Sequence, residues 1–232
     1  MENQDIKRKQ LRIKRKWAKL GQKKVSKEMR DAIHGYLMSD GYLRNGILTV
    51  EQSVEQKAFV DWLYAKLEPL RTSLPIRTVT RIHPKTKKES KSSRFNTRAL
   101  LHGFHHMWYE RVIDKEGLEK YIKKLPKSMD CFFNETFISV WYAGDGTKVI
   151  GSLGVKFEVT DFTVGERLRL QQLFLTKFDI QVVIISSGVS KSGTPQWALK
   201  IPAIEYPKFR ALITKNDLIQ TVFPYKLHKE DV

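Results

Sequence analysis

Apolar positions recur along the chain with two periods, one near 3.6 residues and one of 2, and their alternation predicts the order of the elements. Ser26 reads as an N-cap, with Arg30 and Asp31 in the first turn of a helix that runs to about Asp40. Gly41 breaks it. Tyr42 to Arg44, Asn45-Gly46 and Ile47 to Gln52 then read as a hairpin with a two-residue turn. On its second strand Ile47, Thr49 and Glu51 share one face, and Leu48, Val50 and Gln52 the other. Val54 to Leu67 places Phe59, Leu63 and Leu67 at helical spacing and stops at Glu68-Pro69. Residues 76–83 read as a strand, Pro84 to Ser93 as a basic loop, Arg94 to Thr97 as a second strand and Ala99 to about Glu110 as a helix.

Residues 114–136 connect this half to a second one in which the order recurs. A helix at about Asn134 to Asp145 is followed by strands at 147–150 and 153–160, a helix at Thr163 to Phe178 and a strand at 180–186. A hairpin loop, a strand at 196–201, a helix at 204–213 and a tail complete the chain. Each half therefore reads helix–strand–strand–helix–strand–strand–helix, an internal duplication. The expected fold is α+β: two pseudo-symmetric αββαββα halves packed through their first helices. The expected divisions are a basic extension at 1–26, an N-terminal half at 27–113, a linker at 114–133 and a C-terminal half at 134–232.

The two first helices carry the chemistry. AIHGYLMSDG at 32–41 and FISVWYAGDG at 137–146 are apolar, rich in small residues, and each delivers one carboxylate followed by glycine. Gly35 and Ser39 lie four apart on one helix, and Val140 and Gly144 four apart on the other. That spacing puts small residues on one face and permits close backbone approach. If these faces pack, Asp40 and Asp145 project together from one end. Neighbouring carboxylates repel, and desolvation sharpens the repulsion. A divalent cation relieves both, and carboxylate oxygens suit Mg²⁺, with Mn²⁺ or Ca²⁺ able to stand in its place. A single Asp-Gly is explained by a surface residue ending a buried helix; two at matching places of a repeat are explained better by a shared site.

Charge adds the partner. Lys and Arg number 42 against 25 Asp and Glu, a net charge of +17, and it is clustered. Residues 1–30 hold twelve Lys or Arg and three acids; residues 77–98 hold eight and one acid, Glu89. Such blocks suit a polyanion, and nucleic acid is favoured over a membrane surface because no amphipathic helix carries large exposed aromatics. No apolar run is long enough to span a bilayer, and the basic N-terminus lacks the apolar core of a secretory signal. Cys131 is the only cysteine, so no intramolecular disulfide forms, which suits a reducing compartment. The expected location is intracellular: an organelle, or a prokaryotic or phage-host cytoplasm.

IHGYLMSDG (33–41) and ISVWYAGDG (138–146) resemble the paired motifs of LAGLIDADG homing endonucleases of the single-chain, two-motif type. The preceding PKSMDCFFNETF and the late YKL at 225–227 strengthen the likeness, which covers about residues 27–227. The resemblance implies saddle-shaped antiparallel sheets straddling the DNA major groove, a monomer, and metal binding by Asp40 and Asp145. It implies a water-organising shell of Gln52 and Asp161 at the ends of the second strands, and Lys200 on a fourth strand as a basic catalytic residue. Asn96 stands where the first half would match Lys200, a departure that Arg94 or Arg98 would have to fill, and it leaves open nicking or unequal cutting of the two strands.

The expected activity is site-specific hydrolysis of one phosphodiester per strand of a long duplex target. A non-catalytic relative such as an intron RNA maturase is the alternative, with intron RNA as a further partner; a transcription regulator is disfavoured for want of a helix-turn-helix. Candidate DNA contacts are Arg44, Thr49, Lys148, Lys156 and Glu158 on the first hairpins, Arg77, Arg81 and His83 on one strand face, and Lys191. The loop lysines Lys85, Lys87, Lys88 and Lys91 are expected to track phosphates. His102, His105 and His106 read as core or surface residues, since no acid or cysteine completes a zinc set. Cys131 has no catalytic partner, and Trp62, Trp108, Trp141 and Tyr142 read as core.

Overall fold

The computed structural model describes residues 25–229. The basic stretch before them, with most of the expected extension, lies outside the described residues. Helix α1 (Lys27–Met38) opens after Ser26, whose Oγ accepts from the Met29 N–H at 3.2 Å. From Asp31 to Met38 every residue is buried, so α1 is an interior helix covered all round. Ser39 and Asp40 turn away after it. Strands β1 (Tyr42–Arg44) and β2 (Ile47–Ser53) form the expected hairpin. Asn45 and Gly46 both take positive φ, 50° and 73°, as a tight hairpin turn with right-handed strand twist requires.

A 3₁₀ turn at Val54–Gln56 leads into α2 (Lys57–Lys66), which lays Phe59, Val60 and Leu63 on the buried face of the sheet beside Leu48, Val50 and Phe95. Strands β3 (Arg77–Ile82) and β4 (Glu89–Asn96) complete an antiparallel sheet of order β1-β2-β4-β3. The second half of the expected basic loop, Glu89–Ser93, is strand. Its turn is confined to His83–Lys88, closed by His83 N–H to Lys88 O and Lys87 N–H to His83 O, both 2.9 Å. Lys91 accordingly lies on β4. The run Glu-Ser-Lys-Ser-Ser has no apolar period to mark it, and backbone pairing with β3 alone makes it extended.

The helix expected to reach Glu110 is shorter, α3 (His102–Trp108), and the segment read as a plain connection holds a hairpin, β5 (Tyr109–Ile113) with β6 (Glu119–Lys123). Its turn is built by Asp114, whose Oδ1 accepts from the N–H groups of Glu116 and Leu118 at 3.0 and 2.9 Å, and by Gly117 at φ 77°.

The second half follows as α4 (Glu135–Asp145), β7 (Gly146–Lys148), β8 (Val155–Glu158), α5 (Val164–Phe178), β9 (Val183–Val189), β10 (Pro195–Ile201), α6 (Tyr206–Ile213) and α7 (Leu218–Val222). Thr163 and Glu166 close a full capping box on α5. β9 starts three residues later than expected, and the tail contains α7. The second sheet has the order β7-β8-β10-β9, the same as the first. The duplication extends to register. Tyr42 pairs with Thr49 and Thr49 with Asn96; Thr147 pairs with Lys156 and Lys156 with Lys200.

The chain divides into two compact units. Among the described residues, one holds 25–30 and Gly41–His106; the other holds Asp31–Asp40 and 107–229. Most of α1 thus packs with the second half. The core of that unit is aromatic, with Trp141 and Phe157 rings 4.2 Å apart and Phe174, Phe209 and Tyr142 around them.

Candidate active site at the paired helix ends

The small-residue faces of α1 and α4 meet as the spacing requires. A Cβ on Gly35 would stand 2.5 Å from the Phe137 carbonyl oxygen and 2.9 Å from Val140 Cβ. One on Gly144 would stand 2.6 Å from Ser39 Cβ and 3.2 Å from an Asp40 carboxylate oxygen. Gly35 therefore packs over Val140, and Ser39 over Gly144. The opposite end is tied by Asn134, which caps α4 by accepting from the Phe137 N–H and donates to Asp31 at 2.7 Å. His34, stacked 3.6 Å from Phe132, accepts from the Trp108 indole N–H at 2.8 Å. Fixed at one end and in close approach at Gly35 and Gly144, the helices deliver Asp40 and Asp145 side by side.

The two acids are not equal. Asp40 is exposed and Asp145 is half-buried. Burial, then the charge of Asp40, pushes the Asp145 carboxyl from 3.8 up to about 7; Lys123 and Lys226 pull it down, and Glu158 adds to the rise. Two lysines answer this charge. Lys226 lies buried under the end of α4, its Nζ donating to the carbonyls of Tyr142, Ala143 and Gly144 at 3.0, 2.7 and 3.4 Å. Burial lowers it to about 8, against the pull of Asp145 and Asp40. Lys123, on β6, donates to the Ser39 carbonyl at the end of α1, at 3.0 Å. Burial lowers it as well, opposed by Asp145, Asp161 and Asp40. Each acid-bearing helix thus ends on an ammonium that also completes its carbonyl capping.

Lys123 escaped the sequence reading because the connection was read as featureless, and Lys226 entered only within YKL. The usable signal was a lysine bracketed by aromatic and aliphatic residues, Tyr225-Lys226-Leu227 and Tyr121-Ile122-Lys123, since lysine is rarely buried without a partner.

The remaining candidates fall on the two sheets. Gln52 is half-buried on β2, on the face of Leu48 and Val50, opposite Ser93. Asp161 lies in the exposed turn after β8. By register the position matching Gln52 is Val159, whose N–H donates to Trp197 O, with Asp161 two residues on. Asn96 and Lys200 occupy matching register positions; Asn96 accepts from Thr49 Oγ1 at 3.0 Å. In the other unit Glu158 accepts from Lys156 Nζ and Ser187 Oγ, both at 3.0 Å.

On the open face of the first sheet, Arg81 and Arg94 gather around Glu51. Arg77 lies opposite Arg94 on β3, and Arg44 at the end of β1. His83, Lys85, Lys87 and Lys88 form the exposed tip turn, Lys148 ends β7 and Lys191 lies in the turn between β9 and β10. Lys91 pairs with Glu89 at 3.1 Å. Among the described residues no group of three or more His, Cys, Asp or Glu could hold a metal, and no helix is long and apolar enough to cross a membrane. His105 is lowered by burial and by its neighbours His106 and His102. Cys131 is exposed, its thiol directed at Asp130.

Among solved structures the chain superposes on one described as the homing endonuclease I-WcaI bound to its DNA recognition sequence, with a TM-score of 0.70 and 18% identity over 88% of this chain and 87% of that one. Mesophilic variants of the homing endonuclease I-DmoI match at a TM-score of 0.48 and 13% identity, over 82% and 97%. Full-length DUF199/WhiA from Thermatoga maritima matches at 0.47 and 14%, over 89% and 63%. Likeness at such identity is likeness of fold. Comparison with curated proteins finds no match. The sequence itself matches the model of the LAGLIDADG DNA endonuclease family over residues 30–209, a stretch holding both acids and both four-stranded sheets. This chain belongs to the LAGLIDADG DNA endonuclease family.

Proposed function

We propose that the protein is a site-specific homing endonuclease that binds a long duplex target in the major groove and hydrolyses one phosphodiester on each strand. The observation that carries this reading is the pairing of Asp40 and Asp145 at the ends of two helices in backbone contact, with Asp145 raised to about 7 beside Asp40. Two carboxylates held together, with Asp145 raised beside Asp40, suit a hard cation that takes its other ligands from water and phosphate, and Mg²⁺ has that habit. Such a cation, bound by Asp40 and Asp145, would neutralise charge on the scissile phosphate and lower the pKa of an attacking water.

The chain's own groups do the rest. Lys123 and Lys226 bring two ammonium groups to the acid pair, where they offset charge developing on the phosphate. Asp161, whose charge acts on Lys123, and Gln52 orient water, and Lys200 supplies a further cation on one sheet only. The open faces carry Arg44, Thr49, Arg77, Arg81, Lys148, Lys156 and Glu158 toward the bases and phosphates, and the tip-turn residues His83, Lys85, Lys87 and Lys88, with Lys191, toward phosphates. Since one chain supplies both acids, the active species is a monomer.

The reading is tested by selecting cleavage sites from a randomised duplex library with Mg²⁺ and with chelator. A recurrent long site cut on both strands only with the cation is expected. A protein that selects no duplex, or binds intron RNA without cutting any DNA, would overturn it.

A further inference from the structure

Both sheets place a glutamate at the same register position on the open face, and each glutamate is engaged by the basic and hydroxyl groups around it. Glu51 follows Thr49 by two residues on β2 and lies opposite Arg94; Glu158 follows Lys156 by two on β8 and lies opposite Ala198. The surroundings differ. Glu158 holds one lysine and one serine. Glu51 is the centre of an arginine cluster: its Oε2 accepts from Arg81 Nη2 at 3.0 Å, its other oxygen from Arg81 Nη1 and Ser92 Oγ, and Arg94 Nη1 stands 3.7 Å away. The hydrogen bond to Arg81 holds the Glu51 carboxyl below the ordinary carboxylate range against the opposing effect of burial, with Ser92 and the charges of both arginines helping.

An acid in the middle of a surface meant for a polyanion repels phosphate and would be selected against as a plain surface charge. Its geometry gives it another task. Gripped through both Nη atoms, the Arg81 guanidinium has a fixed plane, and its Nε edge keeps donors for an acceptor pair. Arg94 Nε is buried and has no hydrogen-bond partner among the described residues. The Arg81 guanidinium is thus oriented, with donors in reserve, on the face that the proposed function turns to the major groove, while Arg94, its Nε buried, adds positive charge beside Glu51. The base edge that fits a planar donor pair is guanine, through O6 and N7.

We propose that Glu51 is a positioning residue for base readout: it orders Arg81, with Arg94 beside it, so that the first sheet discriminates guanine at one or two adjacent pairs of its half-site. The second sheet, where Lys156 and Ser187 replace the arginines at Glu158, has no such fork. This inference rests on the proposed DNA-binding function.

The experiment is base-preference profiling of the full chain against every single substitution of its selected target, for the wild type, Glu51→Gln, Glu51→Asp and Arg81→Ala. Glu51→Gln and Arg81→Ala are expected to flatten a guanine preference by about tenfold at the same one or two positions, both in one half-site. Glu51→Asp, which keeps the charge, restores part of it. Retained preferences in the other half-site of the same protein show that the variant is folded. Preferences unchanged in Glu51→Gln, or weakened evenly over both half-sites, would overturn the positioning role. A wild type that selects no duplex defeats the functional reading itself, and this inference with it.

Discussion

The buried ammonium of Lys226 and the carboxyl of Asp145 oppose one another at the end of α4, each moving the other's ionisation back toward the charged form. Burial works against both, and the lysine is held in place by three backbone carbonyls of the helix that carries the acid. A half-buried acid beside a second acid and a desolvated lysine are costly features in a resting protein, and such cost is typical of sites arranged for charge that arrives with substrate.

Replacing Lys226 by Met separates the two roles of this lysine. Met leaves the carbonyls of Tyr142, Ala143 and Gly144 without this donor, so stability at pH 7 should fall by about 1–3 kcal/mol in urea titrations. Cleavage should fall about tenfold, because the lysine, its N–H groups taken by helix carbonyls, acts on the acid pair through its charge alone. A loss of stability of several kcal/mol with cleavage unchanged would make Lys226 a structural clamp only.

Asp145→Asn and Asp40→Asn should each abolish linearisation of target plasmid while retaining target binding at low salt. Gel assays of nicked and linear products check this. Full double-strand cleavage by the double variant would remove the acids from the mechanism.

Stability without divalent cations should depend on pH through the same groups. Asp145 titrates near 7 in the fold against 3.8 ordinarily, so the folded state holds more proton between those values and stability falls as pH rises from about 4 to about 7. Lys226 titrates near 8 against 10.5, so the unfolded state holds more proton above 8 and stability rises from about 8 to about 10. A minimum near pH 7 to 8 follows, with apparent midpoints belonging to the coupled cluster. Denaturation in chelator across pH should show it, and Asp145→Asn should flatten the acid arm.

Adding Mg²⁺ at neutral pH should raise Tm by a few degrees and deepen the stability of the wild type by RT ln(1 + [L]/Kd), an effect absent in the Asp40→Asn, Asp145→Asn double variant. An equal shift in both proteins would assign the effect to general screening.

Close packing at the helix interface is tested by alanine. Gly35→Ala should cost about 1–3 kcal/mol, because its Cβ meets a backbone carbonyl 2.5 Å away on a helix with no room to shift. Gly103→Ala, with nothing within 4 Å, should stabilise α3 by about 0.5–1 kcal/mol. Thermal melts of the pair settle it; similar effects at both positions would contradict the packing described.

The sequence determined a good deal by itself. Apolar periodicity, Asn45-Gly46, the N-cap at Ser26 and the repeat marked most elements, because each is set by interactions within a few residues. The duplicated small-residue spacing placed Gly35 against Val140 and Ser39 against Gly144, and so brought two acids 105 residues apart to one place. What local pattern could not carry was whatever depends on non-local pairing. The Glu89–Ser93 strand is extended only because β3 hydrogen-bonds it, and the β5–β6 hairpin is marked by little more than Asp114 and Gly117. Only the tertiary structure buried Lys123 and Lys226 at the ends of α1 and α4, made Asp145 unlike Asp40, and drew Arg81 and Arg94 around Glu51. Burial and charge coupling are properties of neighbours in space, and the hydrogen bonds that hold these groups here join residues 30 to 84 positions apart.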